Sequence, residues 1–106
     1  MKMRVLLSAL LIASSAAAHT ASSGMQYDSW CCSGQDCAPI PSKGVTVQGT
    51  GYRVELNVGD HPMLTQHHIY IVPYQQVKNS TDGQYHICFW PDENTVRCFY
   101  APPQGA

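Results

Sequence analysis

The sequence carries little charge. Asp, Glu, Lys and Arg together make up 12% of 106 residues, and Lys plus Arg number six. No basic cluster occurs, which excludes the electrostatic footprint that nucleic acids and anionic membrane surfaces require. No internal repeat, helical apolar period or glycine-rich phosphate loop is present. The five cysteines contain no C-x-x-C pair. The paired short spacings of a zinc knuckle are therefore missing. Ser33 and Ser80 lack the context of an activated nucleophile. Asp28, Asp36, Glu55 and Asp60 stand at no recognisable spacing from a base. Catalysis has no positive signal, so an enzyme is not the expected reading.

Long apolar runs are missing too, with one exception. Residues 5–13 are apolar but for Ser8, and follow Lys2 and Arg4. A small-residue tail ends in Ala16-Ala17-Ala18. This is the layout of a secretory signal peptide, residues 1–18, cleaved between Ala18 and His19. The run is shorter than the ~20 residues that span a bilayer, so no membrane anchor is expected after cleavage. The remaining 88 residues carry four basic and seven acidic side chains, a net charge of −3 with His neutral. One domain is all this length allows, and its core needs help. Five cysteines in an exported chain point to disulfide bonds, in the periplasm or outside the cell.

What is present is concentrated in residues 27–37, YDSWCCSGQDC, which hold three of the five cysteines. Before them, the small polar residues 19–26 read as a flexible arm. After them, Pro39 and Pro41 impose an extended stretch. Residues 45–48 and 52–58 alternate apolar and polar, with Val54, Leu56 and Val58 on one face and Gly49-Thr50-Gly51 as the turn. Residues 68–72 form a β-branched and aromatic strand ended by Pro73, and 74–78 a single helical turn. Residues 85–90 and 95–100 are the last two strands. The expectation is an all-β, disulfide-stabilised antiparallel sheet or sandwich of about five strands, with 27–106 as one stapled domain.

The disulfide expectation rests on register. If the last hairpin turns through 92–94, Cys88 faces Cys98 and the two bond across the pair. One residue of slip would place them on opposite faces. Cys37 then bonds Cys31 or Cys32 across Ser33-Gly34. Cys32 is the better placed, which leaves Cys31 as the free thiol. The rival pattern ties the N-terminal cluster to the final hairpin, for example Cys32 to Cys98.

Metal chemistry has one candidate. Cleavage would free the α-amine of His19, which with its imidazole can chelate copper. His61, His67, His68 and His86 are possible second ligands, with His86 favoured, and Met25 and Met63 are soft donors. His67 and His68 precede a strand and point to opposite faces, so they do not share an ion. Asn79-Ser80-Thr81 matches a glycosylation acceptor. The ten aromatic residues are expected mainly as core filling, and an exposed Trp30 or Trp90 would instead indicate a binding surface.

Tyr27-Asp28 with Trp30-Cys31-Cys32, Asp36-Cys37-Ala38-Pro39, His61-Pro62-Met63, Ser80 to Gly83 with His86 and Cys88, and Arg97-Cys98-Phe99 with Pro102-Pro103 form an ordered pattern. It resembles a family of small exported five-cysteine proteins of alphaproteobacteria and their phages. The resemblance covers nearly all of 19–106. It implies that all five cysteines belong to the pattern and that His19 begins the exported chain. It assigns no activity. The expectation is an exported, non-enzymatic binding or structural module for a protein or envelope component, with a periplasmic copper- or zinc-binding protein using His19 as the alternative.

Overall fold

The computed structural model describes residues 19–103. The expected signal peptide, 1–18, lies outside the described residues. Seven strands form two sheets: Cys37–Ile40 (β1), Val45–Val47 (β2), Gly51–Leu56 (β3), His68–Pro73 (β4), Val77–Asn79 (β5), Tyr85–Phe89 (β6) and Val96–Ala101 (β7). One sheet runs β1-β6-β7-β5 and the other β2-β3-β4. No α-helix occurs among the described residues; 3-10 turns sit at Ser42–Gly44 and Tyr74–Gln76. The fold is all-β, as its alternating segments imply.

The two sheets enclose one core. Tyr52, Val54 and Leu56 of β3 and Tyr70 and Val72 of β4 meet Ile87 and Phe89 of β6 and Phe99 of β7. In β3 and β4 the intervening residues Arg53, Glu55, Ile69 and Ile71 face outward, which gives the period of two. Strands β6 and β7 differ, because both of their faces are covered. Ile87 and Phe99 point into the sandwich. His86, Cys88, Cys98 and Tyr100 point the other way, and all four are buried. Their cover is the segment before β1, which supplies Ala21, Met25, Tyr27, Cys31 and Cys32 as a second apolar cluster.

Several expectations are corrected here. The described residues hold seven strands, where about five are expected. β1 is an edge strand in which Pro39 costs nothing, because a ladder edge does not need every N–H. The stretch 74–78 is a 3-10 turn running into β5, which pairs parallel with β7. β3 ends at Leu56, so Val58 lies beyond the strand and is exposed. Residues 19–26 are not a loose arm. They double back, with Ala21 N–H donating to Met25 O at 2.7 Å and Tyr27 N–H to His19 O at 2.8 Å. Burial of Ala21 and Met25 against β6 and β7 holds this turn down.

The disulfides join Cys31 to Cys98 and Cys37 to Cys88. The expected Cys88–Cys98 and Cys32–Cys37 bonds are therefore wrong, and Cys31 is not the free thiol. Cys88 does face Cys98, but a one-residue bulge follows, after which Phe89 pairs with Val96. Cys88 also has a neighbour on its other side, Cys37 in β1, and bonds it. Cys98 is thus left for the overlying cap. Cys32 takes part in neither disulfide; it is buried, and its thiol donates to Gly34 O at 3.3 Å.

Candidate functional site

Two places on this frame gather chemistry. The first is a cleft of about 220 Å³ lined by Ser29, Trp30, Cys31, Ser33, Asp36, Trp90 and Arg97. It lies where the cap meets the end of the β6–β7 hairpin, with the Cys31–Cys98 disulfide tying the two together. Trp30 is 55% exposed and Trp90 47%. Most other aromatics are in the core, as expected, but the two indoles are not.

Trp30 is held from both chain and side-chain directions. Arg97 Nε donates to the Trp30 carbonyl. The Arg97 guanidinium lies 5.5 Å and the Lys78 ammonium 5.1 Å from the indole centre. Both contacts fall within the cation–π range. Lys78 is in turn paired with Asp28 at 2.8 Å, and that pair keeps the Asp28 carboxyl below its ordinary range. Trp90 has no ring or cation against its face among the described residues. Its backbone N–H donates to Thr95 O at 3.1 Å, which fixes its position at the hairpin end.

The polar groups of the cleft are of both signs. Asp36 Oδ2 accepts from Ser33 N–H at 2.9 Å and from Ser33 Oγ at 2.7 Å, leaving Oδ1 for another donor. Arg97 forms no ion pair among the described residues, so its terminal N–H groups are available.

The second place is a buried chain, Tyr27–His86–Asp82. Tyr27 Oη lies 2.8 Å from His86 Nδ1, and His86 Nε2 lies 2.9 Å from Asp82 Oδ1. Burial alone would raise the Asp82 pKa. Bonds from Ser23, His86, the Gln84 N–H and Ser80 outweigh it and hold the carboxyl well below its usual value. An ionised Asp82 accepts only, so His86 Nε2–H must donate to it. In the neutral imidazole Nδ1 is then the acceptor for the Tyr27 hydroxyl. Burial, with Cys32 and Asp82 nearby, pushes Tyr27 far above the ordinary phenol. Burial likewise raises Tyr100 to about 12. The hydroxyl therefore stays protonated and bonded. With His86 fully buried, this chain clamps the cap to the sheet.

The expected metal ligands are not assembled. His86 has both nitrogens engaged and cannot turn toward His19. His61 is buried, with Nε2 at 3.0 Å from Asp36 O and 3.1 Å from Ile87 O. His67 bonds Glu55 and His68 bonds Glu93, on different sides as the sequence implies. Among the described residues no group of three His, Cys, Asp or Glu is placed to hold an ion. His19 Nδ1 is buried without a hydrogen-bond partner.

Arg97, Asp36 and Trp90 had no signal as a unit in the sequence, because they meet only through the Cys31–Cys98 link and the β1–β6 pairing. No protein-family model, curated protein or solved structure matches the chain. The two disulfides indicate an oxidising, non-cytoplasmic environment, and no described helix is long and apolar enough to cross a membrane.

Proposed function

We propose that the chain is an exported, non-enzymatic binding module whose contact surface is the Trp30–Trp90 cleft, and that its partner is a component of the cell envelope. One observation carries this reading. A domain this small keeps two indoles at its surface, on disulfide-tied elements, beside an arginine without a partner carboxylate. Trp and Arg dominate the energetic centres of interfaces. Rigid indoles give large contact area at low ordering cost. The signal-peptide layout and the five-cysteine pattern support export.

The test is a photo-crosslinking residue placed at position 90 in cells that export the protein, with position 47 on the other sheet as control. Val47 is equally exposed. An adduct from 90 that disappears with Trp30→Ala, and none from 47, supports the reading. Equal adducts from both positions, or none from 90, would remove it.

A second reading follows from the unpartnered His19 Nδ1. After cleavage the His19 α-amine and Nδ1 would chelate one copper ion without any help from His86. Copper titration of the untagged chain beginning at His19 should then show tighter binding than His19→Ala or a chain with one added N-terminal residue. His67→Ala should change little. No difference between the chains sinks this reading.

A further inference from the structure

We propose that the Trp30–Trp90 cleft takes one ring of a neutral saccharide. This inference rests on the binding-module reading and names its ligand class. Three observations combine. First, the cleft is small. About 220 Å³ falls below the ~300 Å³ at which pockets begin to take drug-sized ligands, so one ring-sized unit fits and a folded element does not. Second, its polar groups oppose each other in sign. Asp36 would repel an anionic ligand and Arg97 a cationic one. A hydroxyl, which both donates and accepts, suits a carboxylate oxygen and a guanidinium N–H in one cleft. Asp36 Oδ1 supplies the acceptor, Arg97 the donor, and the exposed Ser29 hydroxyl bonds either way.

Third, the two indoles are unequal. Trp30 already carries Arg97 and Lys78 near its ring, whereas the half-exposed Trp90 ring has no cation over it among the described residues. The electron-rich face of an indole attracts weakly positive hydrogens. The C–H face of a sugar ring presents such hydrogens while its hydroxyls point outward around the rim. Trp90 is therefore the stacking platform, Trp30 the braced wall, and Asp36 with Arg97 the hydroxyl-reading pair. An apolar peptide side chain would use the indoles but leave Asp36 and Arg97 without a role.

The experiment is an NMR titration of the isotopically labelled, oxidised protein with three probes: the N-acetylglucosamine trimer, maltotriose and cellotriose. The expected result is saturable movement of the Trp90 indole N–H and the Arg97 amide with at least one probe, with a dissociation constant on the order of 1 mM. Trp90→Ala should abolish the response. Asp36→Asn and Arg97→Gln should each weaken it roughly tenfold. Unchanged core amides in each variant show that the fold is intact. No indole shift at tens of millimolar of any probe overturns the inference, as does a response that survives Trp90→Ala. Shifts produced by a proline-rich or acidic peptide and by no saccharide also overturn it. In that case an adduct from position 90 leaves the binding-module reading standing. Without the adduct, both fall.

Discussion

Cys88 stands directly opposite Cys98 in the β6–β7 pair, yet each is bonded to a different element. Non-reducing peptide mapping at acidic pH should therefore yield Cys31–Cys98 and Cys37–Cys88 peptides, with Cys32 alkylated only after unfolding. A Cys88–Cys98 peptide would contradict the structure. The 67-residue span from Cys31 to Cys98 contains the still-closed 51-residue Cys37–Cys88 loop, so Cys98→Ser opens an effective loop of about 16 residues, which in the chain-entropy picture removes about 3 kcal/mol of stability. Urea unfolding of the variant measures it.

Tyr27→Phe should destabilise by about 1–3 kcal/mol, because it leaves His86 Nδ1 buried without a donor. Tyr74→Phe is the comparison, since the Tyr74 hydroxyl bonds Gln48 O at the surface. A Tyr27→Phe cost no larger than that of Tyr74→Phe would show that the clamp contributes nothing.

Asp82 sets an acid limit. Its folded-state pKa is depressed below the unfolded value near 3.9. The stability it contributes is present above that unfolded value and drains away as pH falls toward the folded one. Thermal melts from pH about 5 down to about 2 should fall less steeply for Asp82→Asn than for the parent chain. Parallel curves would mean that the carboxylate bonds are not coupled to folding.

Gly51 opens β3 opposite Pro73 of β4 and leaves no room there for a side chain. A Cβ added there would sit 2.2 Å from Val72 O and 2.9 Å from Pro73 Cα, both backbone atoms. Gly51→Ala should therefore cost about 1–3 kcal/mol through forced strand separation. Gly49→Ala, whose Cβ would meet nothing within 4 Å, should stay within about 0.5 kcal/mol. Denaturant midpoints of the two variants decide this.

Alternation carried the sandwich. The β2–β3 hairpin is readable from alternation and β4 from its β-branched and aromatic residues, while the opposition of Cys88 and Cys98 follows from a turn at 92–94. What spacing could not carry is the edge strand β1 and the cap that precedes it. β1 shows no alternation, because Pro39 and a half-covered edge replace the usual pattern. Without β1, Cys88 has one visible neighbour and the wrong bond follows. Residues 19–26 look like an arm because they are small and polar, but their burial comes from contacts with β6 and β7, distant in sequence. The cleft was legible only as a condition, an exposed Trp30 or Trp90. Its charged pair depends on that same strand and cap.

The two disulfides are nested: 31 with 98, and 37 with 88 inside it. A chain entering an oxidising compartment N-terminus first delivers Cys31, Cys32 and Cys37 together, long before either correct partner arrives. Early oxidation then traps the neighbours with one another. On the proposed export, maturation becomes a sorting problem, and early bonds among neighbours would have to reshuffle once the last strand arrives. Cells lacking a disulfide isomerase should accumulate the full-length chain with short-range bonds among its first three cysteines.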